Sequence, residues 1–168
     1  MNPELMRLAE QCAERLRARG ETVAVSESSA GGLIASALLA VPGASRYFLG
    51  GAVVYTVQSR LGLVGISQEE MDKAGIRSSS EPYAAWLAER IQSILGADWA
   101  LAETGAAGPT GNRYGDAAGH TCIAVRGPTH SVTTLETGDD DRADNMLRFA
   151  AAALAELLRA LDSSPVVA

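Results

Sequence analysis

The stretch Thr22-Val23-Ala24-Val25-Ser26-Glu27-Ser28-Ser29-Ala30-Gly31-Gly32-Leu33 decides how this chain folds. Its β-type run Thr22 to Val25 leads into small residues and two glycines, and then into the apolar, helix-like run Leu33 to Ala40. A strand, a sharp turn and a helix in that order form the repeating unit of an α/β sheet. Glycine permits the turn, and the first N–H groups of a helix lack partners within it. The amides of Ala30, Gly31 and Gly32 and the hydroxyls of Ser28 and Ser29 are therefore expected to face one space. Such a space suits an anion or an oxyanion. The competing reading leaves Ser28 or Ser29 only the task of capping the helix.

Outward from this turn the alternation continues. Asn2-Pro3 is a cap followed by proline at the first helical position, and Leu5, Leu8, Cys12 and Leu16 recur at helical spacing until Gly20. Beyond Leu33 to Ala40, Val41 to Ser45 breaks the pattern and Gly50 to Tyr55 reads as a second, buried strand. Short helices fit Val57 to Val64 and Gln68 to Ala74. Ser80 caps a further helix with Pro82 in its first turn and Trp86, Ile91 and Leu95 on its apolar side. Asp98 to Ala102 is the third strand, and Gly105 to Gly119 a long glycine loop. Thr121 to Val125 and Ser131 to Leu135 read as an antiparallel hairpin, Ala143 to Leu161 as the last helix, and the tail from Asp162 as frayed.

This order predicts a single domain over residues 1–168, a three-layer α/β/α sandwich on a mixed, mostly parallel sheet. Sites in such sheets gather at the carboxyl ends of strands. Three ends carry polar or glycine-rich material: Ser26 to Gly32, Tyr55 to Arg60, and Glu103 to Asn112. A loop of this length inside a compact domain is more often functional than idle.

The 168 residues, 47% hydrophobic, suffice for one core, and a net charge of -6 without a basic run argues against nucleic acid. No apolar run approaches the roughly 18 residues of a membrane span, and the charged start Met1 to Gly20 is unlike a leader, so a cytoplasmic protein is expected. Cys12 and Cys122 fit no metal or redox spacing and read as buried thiols. Apolar residues on more than one side of Ala150 to Leu161 point to a homo-oligomer.

Four ordered motifs carry a family resemblance. Glu27-Ser28-Ser29-Ala30-Gly31-Gly32 stands where the CinA C-terminal domain family has E-S-C-T-G-G. Val41-Pro42-Gly43-Ala44-Ser45 is similar to its P-G-S-S segment, Gly50-Gly51-Ala52-Val53-Val54-Tyr55 to its G-G-x-V-x-Y strand, and Glu103-Thr104-Gly105-Ala106-Ala107-Gly108-Pro109 to its V-T-G-I-A-G-P loop. Enzymatic members of that family are nicotinamide-nucleotide amidohydrolases of the PncC type. The resemblance implies deamidation of nicotinamide mononucleotide to nicotinate mononucleotide and ammonia by a serine nucleophile helped by a lysine and a tyrosine, without metal or other cofactor. It places the nucleophile at Ser28 and the tyrosine at Tyr55. Ser29, Ala30, Gly31, Gly32, Thr104, Gly105, Gly108 and, approximately, Arg142 become the substrate-binding residues.

Two departures from the pattern stand out. Arg60 occupies the lysine position, and guanidinium stays charged at any working pH, so Arg60 does not replace a general base. Three other routes for the serine proton are Lys73, the sole lysine; a Ser28-His120-Asp116 relay; and Tyr55 with Arg60 lowering its pKa by proximity. Gly111 to Gly119 replaces an acidic-lysine stretch and brings Arg113 and Tyr114 to the pocket rim. Two functions stay open: an amidohydrolase working through Ser28, Tyr55 and Arg60, its oxyanion held by the N–H groups of Ala30 to Gly32 or by the Thr104-Gly105 loop, and a non-catalytic nucleotide-binding domain in which Arg60 clamps an anion.

Overall fold

A computed structural model describes residues 1–166. Helix α1 (Pro3–Arg19) starts where Asn2 accepts from the amides of Glu4 and Leu5 and stops at Gly20, whose φ of 66° is the left-handed value glycine tolerates. Strand β1 (Val23–Glu27) precedes α2 (Leu33–Ala40), and a 3₁₀ turn over Ala44–Arg46 leads to β2 (Phe48–Val53). Then come α3 (Val57–Val64), α4 (Gln68–Ala74), α5 (Glu81–Leu95), β3 (Trp99–Ala106), β4 (His120–Arg126), β5 (His130–Glu136) and α6 (Arg142–Ser163). The sheet order is β2-β1-β3-β4-β5. The β1–β2 and β1–β3 ladders are parallel, and β3–β4 and β4–β5 antiparallel, so only β4 runs against the other four strands.

The two sheet faces differ in side-chain size. Val23, Val25, Trp99, Leu101, Ile123 and Val125 pack with α1, α2 and α6. The alternate positions Ala24, Ala100, Ala102 and Ala124 are small and receive Tyr83, Leu87 and Ile91 of α5. Period-two alternation thus sends bulk to one layer and leaves room for a bulky helix on the other.

Several sequence-based expectations need correction. Strand β1 runs on through Ser26 and Glu27, which pair with Ala52 and Val53 and are fully buried. Strand β3 continues to Ala106 by pairing with β4, so Glu103, Thr104 and Gly105 are strand, and the loop begins at Ala107. A side chain at position 105 would meet the His120 carbonyl oxygen at 2.2 Å, which explains glycine within a ladder. Strand β2 is an edge strand with alternating exposure rather than a buried one. Leu95 is exposed. Asp162 and Ser163 form the last turn of α6 rather than frayed tail; 167–168 lie outside the described residues. In the stretch Ala150 to Leu161, the residues Ala150, Ala153, Leu154, Leu157, Ala160 and Leu161 are buried within the protomer, while Ala151, Ala152 and Leu158 are partly exposed. No helix among the described residues is long and apolar enough to cross a membrane.

Candidate functional site

The carboxyl ends of β1, β2 and β3 open into a cavity of about 370 Å³. Ser28, Tyr55, Arg60, Thr104 and Gly105 line it, together with the tyrosines Tyr83 and Tyr114 and with Arg113 and Ser79. A second cleft of about 220 Å³ takes in Ser29, Gly108, Thr110, Gly111, Asn112 and Arg142. Tyr55 and Gly105 belong to both, so the two spaces meet at the exposed Tyr55 ring. Neither lining contains Asp or Glu, in a chain whose net charge is -6. Ala30, Gly31 and Gly32 line neither space: Ala30 is in the core, and Gly31 and Gly32 face Met146 and Val53.

Two buried carboxylates shape the Ser28 loop. Glu103 accepts from the amides of Ser28 (3.0 Å) and Ala30 (2.8 Å) and from the hydroxyls of Ser29 (2.5 Å) and Thr121 (2.8 Å). Glu27 accepts from Gly32 N (2.7 Å), Ile34 N (3.2 Å) and Ala35 N (2.9 Å) and so caps α2 from behind. Burial pushes the Glu27 carboxyl above its ordinary value against the pull of these amides, and the charge of Glu103 adds to the rise.

This wiring overturns both readings of the turn. The amides of Ala30, Gly31 and Gly32 are taken by Glu103, the Ser28 carbonyl and Glu27, and are closed to an oxyanion. Neither Ser28 nor Ser29 caps the helix, because Glu27 does. Among the described residues, the Ser28 hydroxyl and the Ser29 amide make no hydrogen bond. A serine at the end of a strand with the next amide free is the arrangement of a nucleophile and its oxyanion donor.

Arg60 is 4% exposed, gives Nε to the Ile66 carbonyl (3.3 Å) and Nη2 to Gln68 Oε1 (2.7 Å), and among the described residues has no carboxylate in ion-pair range. Its charge acts on Tyr83, whose pKa burial raises and Arg60 pulls back. Tyr55 is partnered by Arg142 rather than Arg60: Arg142 donates to the phenol oxygen (3.1 Å) and to the Gly108 carbonyl (2.6 Å). Arg77, ahead of α5, grips Asp116 of the loop between β3 and β4 with two hydrogen bonds (2.7 and 3.0 Å), which hold that carboxyl below the usual range.

The remaining proton routes fail on geometry. Lys73 is exposed and pairs with Glu69 outside the cavity. His120 lies outside the cavity lining; its Nδ1 meets Glu136 (2.5 Å) and its Nε2 the Ser79 carbonyl (2.9 Å), with Asp116 at 3.7 Å. Both ring nitrogens face acceptors, so the imidazolium satisfies both and the ring is a strut, not a relay. Burial disfavours its charge, yet the bonds to Glu136 and Ser79 and the charge of Asp116 outweigh this and raise the pKa above 6.5. The stability this adds is complete below the unfolded value and is lost as pH rises through the folded one. His120→Gln is therefore expected to lower Tm more at pH 6 than at pH 9, as scanning calorimetry would read; an equal loss at both would refute the charged strut.

Cys12 and Cys122 are buried free thiols, and burial pushes Cys12 up to about 12. Sequence reasoning missed the roles of Glu103, Ser79 and Asn145. Ser79 lines the cavity at φ 56°, held by Thr104 Oγ1, the Gly105 carbonyl and His120. Asn145, fully buried, donates to the carbonyls of Ala107 and Asp139 (2.8 Å each) and ties the loop to α6. A carboxylate ending the apolar run Trp99 to Ala102 was the available sign for Glu103; nothing local marked Asn145.

Fold and site define a single-domain α/β protein with a serine-bearing, arginine-flanked cavity at the carboxyl ends of its parallel strands. The model of the CinA C-terminal domain matches residues 5–161, and the chain belongs to that family. A CinA-like protein of Prochlorococcus marinus (strain MIT 9313) is 43% identical over 72% of this chain and 28% of its own length. One from Gloeobacter violaceus is 37% identical over 90% of this chain and 35% of its own. The chain thus spans about a third of these curated relatives. The solved structure of a competence or damage-inducible protein from Enterobacter asburiae superposes with a TM-score of 0.86 at 28% identity, covering 95% of this chain and 99% of the other. The competence/damage inducible protein CihA from Agrobacterium tumefaciens gives 0.86 at 28%, covering 97% and 98%.

Proposed function

We propose that this protein is a serine amidohydrolase acting on an anionic pyridine nucleotide, with nicotinamide mononucleotide as the substrate to test. The carrying observation is the unbonded Ser28 hydroxyl opening on a tyrosine-walled cavity that continues past Tyr55 into the arginine- and glycine-lined cleft, with no carboxylate on either lining. In this reading the pyridine carboxamide occupies the first cavity and the phosphate the second, beside Arg142 and Gly108. Ser28 attacks the amide carbon, and the Ser29 N–H receives the oxyanion. The phenol oxygen of Tyr55 accepts from Arg142, which leaves its proton free to be donated to the reacting group.

A second reading, binding without turnover, is favoured by Arg60, a buried cation that does not take up a proton. Ammonia release and calorimetric binding separate the two. Arg142→Met is expected to weaken nicotinamide mononucleotide by about 10- to 100-fold, the loss of one charged hydrogen bond, and to spare the phosphate-free riboside. Equal loss for both ligands would remove the phosphate from the second cleft. Binding with no ammonia leaves the second reading; neither binding nor ammonia discards both.

A further inference from the structure

The two places where this chain departs from the family pattern meet in one cavity. Arg60 and Tyr114, from α3 and from the replaced loop, line the same space as Ser28. The Tyr114 ring has the Arg113 guanidinium 5.0 Å and the Arg77 guanidinium 5.3 Å from its centre. Arg113 Nη2 donates to the Tyr114 phenol oxygen at 2.9 Å. The loop is fixed in this position by the Arg77–Asp116 pair and by Asn112, whose Nδ2 donates to Asp116 at 2.8 Å.

We propose that Tyr114 is the catalytic base: its phenolate, set against Arg113 with Arg60 on the same cavity wall, takes the proton from Ser28. The inference rests on the amidohydrolase reading and supplies the acceptor that an arginine at the lysine position takes away. Arg60 then acts as a positioning cation, the counter-charge of a phenolate.

The groups facing Tyr114 favour its anion. Arg60 comes from α3 and Arg113 from the loop of Tyr114 itself, Arg77 stacks on the ring from the segment before α5, and Tyr83 and Tyr55 are the other phenols on the wall. Asp116, the nearby carboxylate, is neutralised by Arg77. Burial works to raise the phenol, but hydrogen bonds to Arg113 and Ser78 and the charges of Arg113 and Arg60 outweigh it, and Tyr114 lies below the ordinary tyrosine value. Tyr83, in the same cavity, is raised.

The steps balance without a co-reactant other than water. Tyr114 O⁻ takes the Ser28 Oγ proton as Oγ bonds to the amide carbon and the carbonyl π pair moves to oxygen. When that pair returns, the C–N bond breaks and the Tyr114 O–H proton goes to the departing nitrogen, giving ammonia and an acyl-serine. Water then gives a proton to Tyr114 O⁻ and its oxygen to the acyl carbon, Ser28 Oγ leaves and recovers the proton, and the acid is released.

The test reads Ser28 itself as well as turnover. A fluorophosphonate probe is followed by mass spectrometry at Ser28 across pH in the parent, Tyr114→Phe and Arg60→Met. Phenylalanine keeps the ring stacked, so Tm serves as the control on folding. Labelling is expected to fall by about 10²-fold or more in Tyr114→Phe and to lose its pH-dependent limb, while Arg60→Met moves that limb to higher pH. Ultraviolet titration of parent minus Tyr114→Phe is expected to show one phenol ionising below the others. Equal labelling rates, no labelling at Ser28, or no early phenol each overturn the proposal. Tyr114-dependent labelling with no ammonia from nicotinamide mononucleotide keeps the base and removes the substrate. Turnover unchanged in Tyr114→Phe keeps the substrate and removes the base.

Discussion

Replacement of Ser28 by alanine is expected to reduce ammonia release from nicotinamide mononucleotide by about 10³-fold or more while leaving Tm within about 2 °C of the parent. The two halves of the expectation have separate causes. Ser28 Oγ makes no hydrogen bond among the described residues, so its removal leaves no orphaned partner in the fold. The loop is held instead by the Ser28 amide on Glu103, which alanine retains. Two neighbouring serines are already engaged: Ser29 Oγ is bound to Glu103, and Ser79 Oγ donates to the Gly105 carbonyl. A steady-state ammonia assay beside a melting curve decides it. Activity within tenfold of the parent would end the role of Ser28 as nucleophile, and a large fall in Tm would make the loss of activity uninformative about chemistry.

Glu103→Ala is expected to cost stability on the order of 4 kcal/mol or more, a fall in Tm of roughly 8–16 °C for a domain of this size. Two amides and two hydroxyls lose their acceptor in a place closed to water, and each buried orphan costs about 1–3 kcal/mol. Glu103→Gln is graded below it at about 1–2 kcal/mol. Its single oxygen still serves the amides of Ser28 and Ala30, and the Ser29 and Thr121 hydroxyls turn to accept from the new N–H groups. Denaturant unfolding measures both. An alanine variant within about 1 kcal/mol of the parent would mean that the loop holds its shape without the carboxylate.

Local chemistry was legible at most helix boundaries, though not at the Glu27 cap of α2 or at the ends of α6. Asn2 and Ser80 cap α1 and α5 as read, and the limits of α2, α3 and α4 coincide with those read from the pattern of apolar residues and punctuation, although the caps Thr56 and Ser67 of α3 and α4 were not singled out. Strand ends were not legible, because they are set by the partner strand. Ser26 and Glu27 look like turn residues and Gly105 like loop, yet pairing with β2 and β4 makes them ladder. The site was read as a set of residues and misread as wiring. Ser28, Tyr55, Arg60, Thr104 and Gly105 do converge, while the amides meant for the ligand go to Glu27 and Glu103. Sequence spacing shows that a helix start has free donors; it does not show that Glu27 claims those of Gly32, Ile34 and Ala35, or that a carboxylate lying 73 residues away takes the Ala30 amide. Arg142 was assigned to the ligand alone and proves also to hold Tyr55 and Gly108.

The alanines at 24, 100, 102 and 124 have a further effect on the cavity they never touch. They form a low bench on which α5 sits, and the first turn of that helix carries Tyr83, with Ser79 just ahead of it, as part of the cavity wall. An Ala100→Val or Ala102→Val change acts as a shim under one end of the bench: interiors packed this densely yield by moving a helix more readily than by compressing one. Pocket width, and with it the choice among ligands of similar chemistry, is therefore adjustable from the far side of the helix, by residues that meet neither ligand nor solvent.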